Sequence, residues 1–302
     1  MEEFKSIINK KSSNSSLEES YNEALKDPDF KEFVSKINLP KEKLMKYTSL
    51  LKTSKEEYCN CKNCKSIMTC KNNIEGYAYL PTIDNDRLVF NYRECRYREK
   101  LREKNAFKKN ITLYQTQDGI LDANMKDIYA DDDKRFDAIE FLTKFKSSYP
   151  KVDKGIYLHG SFGSGKSYLV TAILVELAKK DVKSTIVFWP EFLRELKTYF
   201  GDDISLKRIM TNVKETEILF IDDIGAENLT AWARDEILAP ILQYRMDNNL
   251  KTMFTSNLTL KQLEKHLSIT KDGVEEVKAR RIIERIKQLS KDIELTSANL
   301  RK

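Results

Sequence analysis

The chain has 302 residues, 40% of them hydrophobic and 33% charged, and its 53 Lys and Arg against 47 Asp and Glu give a formal net charge of +6. This composition excludes a disordered or fibrous chain, and the length favours two domains. No stretch approaches the ~20 apolar residues of a membrane span, and the N-terminus lacks the apolar core of a secretory signal. We therefore expect a cytoplasmic protein with no membrane partner.

The basic charge and all five cysteines lie in the first third of the chain. Residues 1–110 carry 23 basic and 17 acidic side chains, whereas residues 111–302 have no net charge. Within the first part, residues 17–51 show apolar side chains at helical spacing, as at Phe30, Phe33 and Val34, and Pro40 interrupts the pattern. This pattern predicts helices whose apolar faces form a core; a partner-binding face is the alternative.

A cluster of thiols follows these helices. Cys61 and Cys64 have the C-x2-C spacing at which two thiolates reach one tetrahedral Zn²⁺, and a structural zinc site needs four nitrogen or sulfur ligands. The two histidines, at positions 159 and 266, lie far away. We therefore predict an all-sulfur zinc site of Cys61, Cys64, Cys70 and Cys95, with Cys59 either spare or replacing Cys70. Unrelated reduced cysteines are the alternative.

The segment after the thiols combines a turn signal with a basic run. Asp84-Asn85-Asp86 predicts the turn of a small β-hairpin. Positions 93–109 then hold eight basic and three acidic residues. This run could follow a phosphate backbone, or it could be a solvated helix that leads into a linker.

The second part of the chain carries a phosphate-binding motif at residues 160–167, here called the phosphate loop. Its sequence GSFGSGKS matches G-x-x-x-x-G-K-[ST] at every fixed position, between an apolar run and a helical pattern. In such loops backbone N–H groups surround the phosphates, the lysine reaches the β and γ oxygens and the hydroxyl binds Mg²⁺. The predicted ATP- or ADP-binding residues of the loop are Gly160, Ser161, Phe162, Gly163, Ser164, Gly165, Lys166 and Ser167.

Two later apolar strands end in polar residues. The strand at 217–221 ends before Asp222, predicted to hold Mg²⁺ directly or through water, and Asp223, predicted to orient or deprotonate the attacking water. The strand at 251–256 ends before Asn257, predicted to hold the γ-phosphate or the water, because ligand-handling groups collect at the carboxyl ends of parallel strands. Alternation of strands and helices over 155–256 predicts an α/β fold with a parallel sheet and helices on both faces.

Three C-terminal arginines are candidate phosphate ligands. Arg281 and Arg285 lie four residues apart and share a helical face, from which they could reach phosphate on a neighbouring subunit. Arg301 lies one residue from the end. For each of the three, solvated surface charge is the alternative.

Aromatic and basic residues near 188–208 are candidates for contact with single-stranded DNA. Lys197, Lys207 and Arg208 could bind phosphates. Phe192 and Leu196 fit better as the buried face of an amphipathic helix on the sheet.

The order GSFGSGKS, ILFIDDIGAE, TSN and ARRIIERI, behind the cysteine-bearing segment, resembles the DnaI-type bacterial replicative helicase loaders, AAA+ relatives of DnaC. The resemblance covers nearly the whole chain. It implies a helicase-binding N-terminal domain with helices and a zinc site at 1–100, a basic linker at 101–120 and an AAA+ ATPase domain at 121–302. It makes Lys166 and Ser167 the phosphate-loop residues, Asp222 and Asp223 the Walker B acids and Asn257 the sensor I residue.

The resemblance also assigns the arginines and the partners. Arg285 matches the arginine finger, Arg281 is its companion and Arg301 would be sensor II. The implied partners are the hexameric replicative helicase, single-stranded DNA at the origin, other replication-initiation proteins and further copies of the chain on the helicase. An ATPase partner of a transposase, which binds target DNA, is the alternative function; such proteins generally lack the cysteine module.

The chain departs from the family pattern in two ways. Ala78 follows Gly76-Tyr77, where some members have a zinc-binding histidine, so the zinc site must be all-cysteine. Asp223 is shorter than the glutamate of many related ATPases. The sequence also leaves no room for a full helical lid domain. We therefore expect weak hydrolysis that a neighbouring arginine completes.

Overall fold

The computed structural model describes residues 15–116, 119–128, 133–297 and 299–300. The chain divides into two compact units, Met1–Asn105 and Ala106–Lys302. Among the described residues, every helix is too short or too polar to span a lipid bilayer.

Helices form the core of the first unit. The helix α1 covers the described residues 15–24, and Asp27 then caps the next helix by accepting the backbone N–H of Asp29 at 2.9 Å. Phe30, Phe33 and Leu51 are buried in one cluster, as expected for core-forming helices. The further helices are α2 (Pro28–Ser35), α3 (Lys41–Leu44) and, after a 3₁₀ turn at Met45–Tyr47, α4 (Thr48–Lys62).

The predicted hairpin is confirmed. Strands β1 (Tyr77–Asp84) and β2 (Arg87–Glu94) pair in antiparallel fashion. The two turn residues, Asn85 and Asp86, have φ of 44° and 64°, as in the type I′ turns that match the twist of a hairpin. The buried Glu57 of α4 accepts the backbone N–H of Tyr79 at 2.5 Å and so joins the hairpin to the helices.

Residues 101–120, predicted to be a linker, contain regular structure. The first unit ends with α5 (Arg96–Asn105), a helix without a buried side chain. A 3₁₀ turn (Ala106–Asn110) leads to β3 (Ile111–Tyr114), which pairs with a strand of the second unit. The boundary between the units lies after Asn105, because the short strand β3 belongs to the sheet.

The second unit is built on a six-stranded parallel sheet of strand order β10–β4–β7–β6–β5–β3. Successive residues of β4 point to opposite faces, so that Ile156 and Leu158 enter one buried cluster and Tyr157 the other. The predicted parallel α/β fold is thereby confirmed. The other strands are β5 (Ser184–Phe188), β6 (Ile218–Asp222), β7 (Lys251–Ser256) and β10 (Ser290–Leu295), and β4 itself is Gly155–Gly160.

Helices cover both faces of this sheet. One face packs against α6 (Phe136–Ser148) and α7 (Lys166–Ala178). The other packs against α8 (Trp189–Thr198), α9 (Asp203–Glu215), α10 (Ala239–Asp247), α11 (Leu260–Ser268) and α12 (Glu276–Leu289). A two-stranded hairpin, β8 (Ile269–Thr270) and β9 (Gly273–Val274), connects α11 to α12.

The helix that leads into α10 contains a π-helical turn. Thr230 caps its start, with its Oγ1 accepting the N–H of Ala233 at 3.2 Å. The π-turn covers Ala233–Leu238 and ends shortly before Pro240. Proline has no N–H and clashes with the carbonyl four residues earlier, so the wider turn accommodates it.

A buried arginine joins three elements at the amino end of β7. Arg245 of α10 is 0% exposed. Its guanidinium donates to the carbonyls of Lys214 and Thr216, at the end of α9, at 2.9 and 2.8 Å, and to the carbonyl of Lys251 at 2.6 Å. Carbonyl groups at the end of a helix have no hydrogen-bond donor within the helix, and the guanidinium of Arg245 provides these donors.

Candidate functional site

The phosphate loop connects β4 to α7 at the carboxyl end of the sheet. Gly163 and Gly165 have φ of 70° and 83°, a region that side chains other than glycine rarely adopt. A Cβ on Gly163 would also lie 1.9 Å from Asn299 Oδ1. Gly165 directly precedes α7, whose N–H groups and dipole favour a phosphate. The loop therefore has the shape that anion binding requires.

A cavity of about 700 Å³ opens beside this loop. Its lining includes Lys166, Ser167, Asp222, Asp223 and Asn257. Phe162 lies at its rim and is 74% exposed. Of the other predicted loop residues, Gly163, Ser164 and Gly165 line the cavity, whereas Gly160 and Ser161 do not.

Lys166 is 8% exposed, and its ammonium group is hydrogen-bonded to the phosphate loop and to Asn257, which follows β7. Its Nζ donates to the carbonyl oxygens of Gly160 and Ser161 at 3.0 and 2.8 Å, and to Asn257 Oδ1 at 2.8 Å. Lys166 and Asn257 meet because β4 and β7 are neighbouring strands. A phosphate oxygen can replace any of these acceptors, since an ammonium group carries three donors.

Asp222 ends β6 and faces the first turn of α7. Its Oδ1 accepts the hydroxyl of Ser167 at 2.6 Å and also the hydroxyl of Thr255. Burial raises the pKa of Asp222, and these two hydrogen bonds and the charge of Lys166 oppose the shift. A nearby cation would stabilise the ionised form of this buried carboxylate. The carboxylate oxygens are ligands of the kind that Mg²⁺ prefers.

Asp223, the residue after Asp222, is hydrogen-bonded to Asn257 at the same end of the sheet. Asp223 has a φ of 59°, and its backbone N–H donates to Thr255 Oγ1 at 3.0 Å. Its Oδ1 accepts the amide of Asn257 at 3.1 Å. The side chain of Asn257 thus joins the phosphate-loop lysine to the second acid.

Two residues of this site escaped the sequence analysis. Thr255 lies in the TSN motif, and its signal was a polar side chain in an apolar strand. Arg135, 2% exposed, donates to the carbonyl of Ser164 at 2.6 Å and to Ser297 Oγ at 3.1 Å. Arg135 therefore holds the backbone of the phosphate loop at Ser164. It does not belong to any sequence motif that could have predicted this role.

Two of the three predicted arginine ligands, Arg281 and Arg285, do not line the cavity of their own chain. Arg281 is exposed, and Arg285 is half-buried and donates to the carbonyl of Ala239 at 3.3 Å. Arg301 lies outside the described residues.

In the first unit, four of the five thiols line one cavity of about 390 Å³. These are the predicted ligands Cys61, Cys64, Cys70 and Cys95; Cys59 is not part of the lining. Within the described parts of the chain, no three His, Cys, Asp or Glu side chains are arranged to hold a metal ion. All-sulfur coordination at about 2.3 Å therefore requires the sulfurs to move closer together.

Hydrogen bonds surround these thiols. Cys70 Sγ accepts the backbone N–H of Gly76 at 3.4 Å, and Cys61 Sγ accepts the amide of Asn72 at 3.3 Å. Burial raises the pKa of Cys61, and the neighbouring Cys95, Cys70 and Cys64 raise it further.

The candidate DNA-contacting side chains divide as the amphipathic pattern of α8 predicts. Phe192 and Leu196 are buried against the sheet. The cations Lys197, Lys207 and Arg208 are exposed. Phe200, which follows α8 in the chain, is 61% exposed and packs edge-on against Trp232, with 5.0 Å between the ring centroids.

Comparison with known proteins identifies a protein family and a similar curated protein. The family of IstB-like ATP binding proteins matches residues 127–302. The replicative helicase loader DnaI of Bacillus subtilis (strain 168) is 35% identical over 290 residues, which span 94% of this chain and 93% of that protein.

Two of the similar solved structures are helicase-loader proteins. A crystal structure of DnaI is 43% identical, with a TM-score of 0.57, over 65% of this chain and 99% of that chain. The crystal structure of the DnaC helicase loader is 21% identical, with a TM-score of 0.51, over 60% of this chain and 100% of that chain. At that identity the second likeness concerns the fold alone.

Proposed function

Because this chain belongs to the DnaI-type family of replicative helicase loaders and carries an ATP-binding domain of the AAA+ α/β fold, we propose that it is an ATP-dependent helicase loader. It binds the hexameric replicative DNA helicase and helps to place it on single-stranded DNA at the replication origin. The observation that carries this proposal is the convergence of Lys166, Ser167, Asp222 and Asn257 on one cavity.

The ATPase chemistry follows from these positions. Lys166 exchanges its carbonyl acceptors for β- and γ-phosphate oxygens, while the N–H groups of the phosphate loop surround the β-phosphate. Ser167 and Asp222 would hold Mg²⁺, which when bound neutralises charge on the phosphoryl group. Asp223 orients the attacking water or accepts its proton, and Asn257 holds that water or the γ-phosphate.

Hydrolysis transfers the γ-phosphoryl group of ATP to water. The new bond forms between the water oxygen and the γ-phosphorus, the bond to the β–γ bridging oxygen breaks, and ADP and inorganic phosphate leave. A single chain performs this reaction slowly, because Asp223 reaches less far than a glutamate. Hydrolysis is therefore conditional on a partner, on single-stranded DNA or on a neighbouring subunit.

We propose that a neighbouring copy of the chain supplies a further positive charge at the γ-phosphate. Arg285 and its companion Arg281 lie on α12, away from the cavity of their own chain, so they serve the nucleotide of an adjacent subunit. A cation at the γ-phosphate stabilises the charge of the transition state. ATP thus favours self-association on the helicase and acts as an assembly switch more than as fuel. Arg301, as sensor II, would contact the nucleotide of its own chain.

The first unit supplies the grip on the helicase. Its support is that the DnaI relative matches over 94% of the chain, including residues that the ATP-binding family model leaves out. The test is co-elution of the purified chain with its host's replicative helicase, with and without ATP. Removal of residues 1–105 is expected to abolish co-elution; retention of the helicase by the truncated chain would contradict this assignment.

The four thiols that line the first-unit cavity are proposed as a structural Zn²⁺ site. In support, Cys61, Cys64, Cys70 and Cys95 face one space. Bound zinc would crosslink the end of α4 to the hairpin and its flanks, and the thiols would release their protons to solvent on binding. Metal analysis of protein purified without chelator tests this; well under one zinc per chain would exclude it.

Single-stranded DNA is proposed to contact the surface of Lys197, Lys207 and Arg208. The exposed ring of Phe200, between α8 and α9 in the chain, would add a stacking surface. Because the second unit has almost no net charge, binding is weak and falls steeply with salt. Fluorescence anisotropy of a labelled oligonucleotide at 50 and 200 mM salt measures it.

The alternative is an ATPase partner of a transposase, and the match to IstB-like ATP binding proteins is the observation that favours it. That match spans residues 127–302 only and leaves the thiol-bearing unit unexplained. Binding of target DNA without any affinity for the helicase would support this alternative.

A further inference from the structure

Thr255 connects the two acids of the nucleotide site. It lies in β7, is 1% exposed and borders the end of β6. Its hydroxyl donates to Asp222 Oδ1, and the same oxygen accepts the backbone N–H of Asp223 at 3.0 Å. One hydroxyl thus makes both hydrogen bonds.

The strand itself does not require this hydroxyl. Valine has nearly the same shape as threonine, is also common in strands and is more often buried. A hydroxyl in such a position is costly unless it is hydrogen-bonded. The polar group at position 255 is therefore explained by its two partners.

Each hydrogen bond constrains a different part of the site. The bond to Asp222 shares Oδ1 with the hydroxyl of Ser167, so two donors from different elements hold that carboxylate in one orientation. The bond from the N–H of Asp223 holds a backbone whose φ of 59° is unfavourable for a residue other than glycine. That conformation places Asp223 Oδ1 3.1 Å from the amide of Asn257.

We propose that Thr255 is a positioning residue for ATP hydrolysis, which fixes the carboxylate of Asp222 and the backbone of Asp223 relative to each other through one hydroxyl. Thr255 thus acts through both acids: through Asp222, which would hold Mg²⁺, and through Asp223, which orients the attacking water. This role rests on the ATPase function proposed above.

Three full-length variants test the role of the hydroxyl. Thr255→Val and Thr255→Ala remove it, whereas Thr255→Ser keeps it and loses only a methyl group. We expect kcat to fall about 10- to 100-fold in Thr255→Val, the effect of losing a hydrogen bond to a charged group. The affinity for ADP without Mg²⁺ stays within about twofold of wild type, and Thr255→Ser keeps most of kcat, because the nucleotide-binding loop is unchanged.

A second measurement does not depend on activity. Amide hydrogen exchange at Asp223, followed by NMR, is expected to be at least tenfold faster in Thr255→Val and near wild type in Thr255→Ser. If Thr255→Val folds poorly, Thr255→Ala gives the same comparison.

The outcomes separate this role from the ATPase proposal. Wild-type kcat and wild-type exchange at Asp223 in the hydroxyl-free variants overturn the role of Thr255 while the ATPase stands. An equal decrease of kcat in Thr255→Ser and Thr255→Val also overturns the role of the hydroxyl, because the lost packing of the methyl group would then be the cause. If the wild-type chain binds no ATP, the proposed function fails instead, and the exchange at Asp223 alone decides whether Thr255 holds this backbone.

Discussion

The buried guanidinium of Arg245 allows a quantitative test of the fold. In Arg245→Met the aliphatic stem is largely kept, but the carbonyls of Lys214, Thr216 and Lys251 lose donors that lie 2.6–2.9 Å away. Each buried carbonyl left without a partner costs roughly 1–3 kcal/mol. Removal of the buried charge offsets part of this, so we expect a loss of about 3–5 kcal/mol, since three carbonyls are affected.

Scanning calorimetry of the full chain measures this loss. The unfolding transition whose Tm increases on addition of ADP belongs to the second unit. At ~2–4 °C per kcal/mol, the Tm of this transition is expected to be roughly 6–20 °C lower in Arg245→Met than in wild type. Below that transition the variant is expected to bind ADP within about twofold of wild type, since Arg245 lies at the opposite end of β7 from Asn257.

Arg194→Met is the matched control. Arg194 is exposed and, among the residues that the structure describes, forms an ion pair with Glu191 alone, on the same helix at 2.6 Å, so its removal is expected to cost under about 1 kcal/mol. If Arg245→Met lowers the transition no further than Arg194→Met does, the proposed joining of α9, α10 and β7 by Arg245 is refuted.

Three further predictions concern the nucleotide site. Lys166→Ala is expected to weaken ATP binding at least ~100-fold by calorimetry because the ammonium that holds the phosphates is lost, whereas Lys179→Ala, at the other end of α7, leaves it unchanged. Burial raises the pKa of Asp222, so without Mg²⁺ wild-type stability falls as pH rises through that pKa, and Asp222→Asn lacks this fall. In denaturant unfolding the stability of Asp222→Asn relative to wild type therefore grows as the pH rises above about 4, the ordinary pKa of an aspartate; a constant difference would contradict the burial argument. Arg285→Ala and Lys166→Ala are each expected to lose helicase-stimulated hydrolysis, and mixing them restores part of it; no recovery would exclude action on a neighbouring subunit.

Local patterns predicted the phosphate loop and the strands that carry the acids. The glycine spacing and the apolar run before Asp222 are both contiguous in sequence, so a single strand or loop contains the whole signal. Asn257 could be added because parallel strands end at one edge of a sheet. These parts of the site depend on geometry that every parallel α/β sheet shares.

The other parts depend on contacts between distant segments. Strand β10 carries Lys291, Asp292 and Glu294. In the described part of the chain it is an edge strand beside β4, where such charged residues are tolerated, so its composition does not reveal a strand. Arg135 gains its role from Ser164 and Ser297, which lie 29 and 162 residues further along the chain. The predicted linker at 101–120 likewise concealed β3, because four residues are too few for a periodic pattern.

The contact between the phosphate loop and residues near the C-terminus matters for protein engineering. The backbone N–H of Leu300 donates to the carbonyl of Gly163 at 2.9 Å, so an affinity tag or fluorescent protein at the C-terminal side that displaces Leu300 would also disturb the phosphate loop. Purification handles and surface-immobilisation anchors therefore belong at the other terminus, ahead of residue 1.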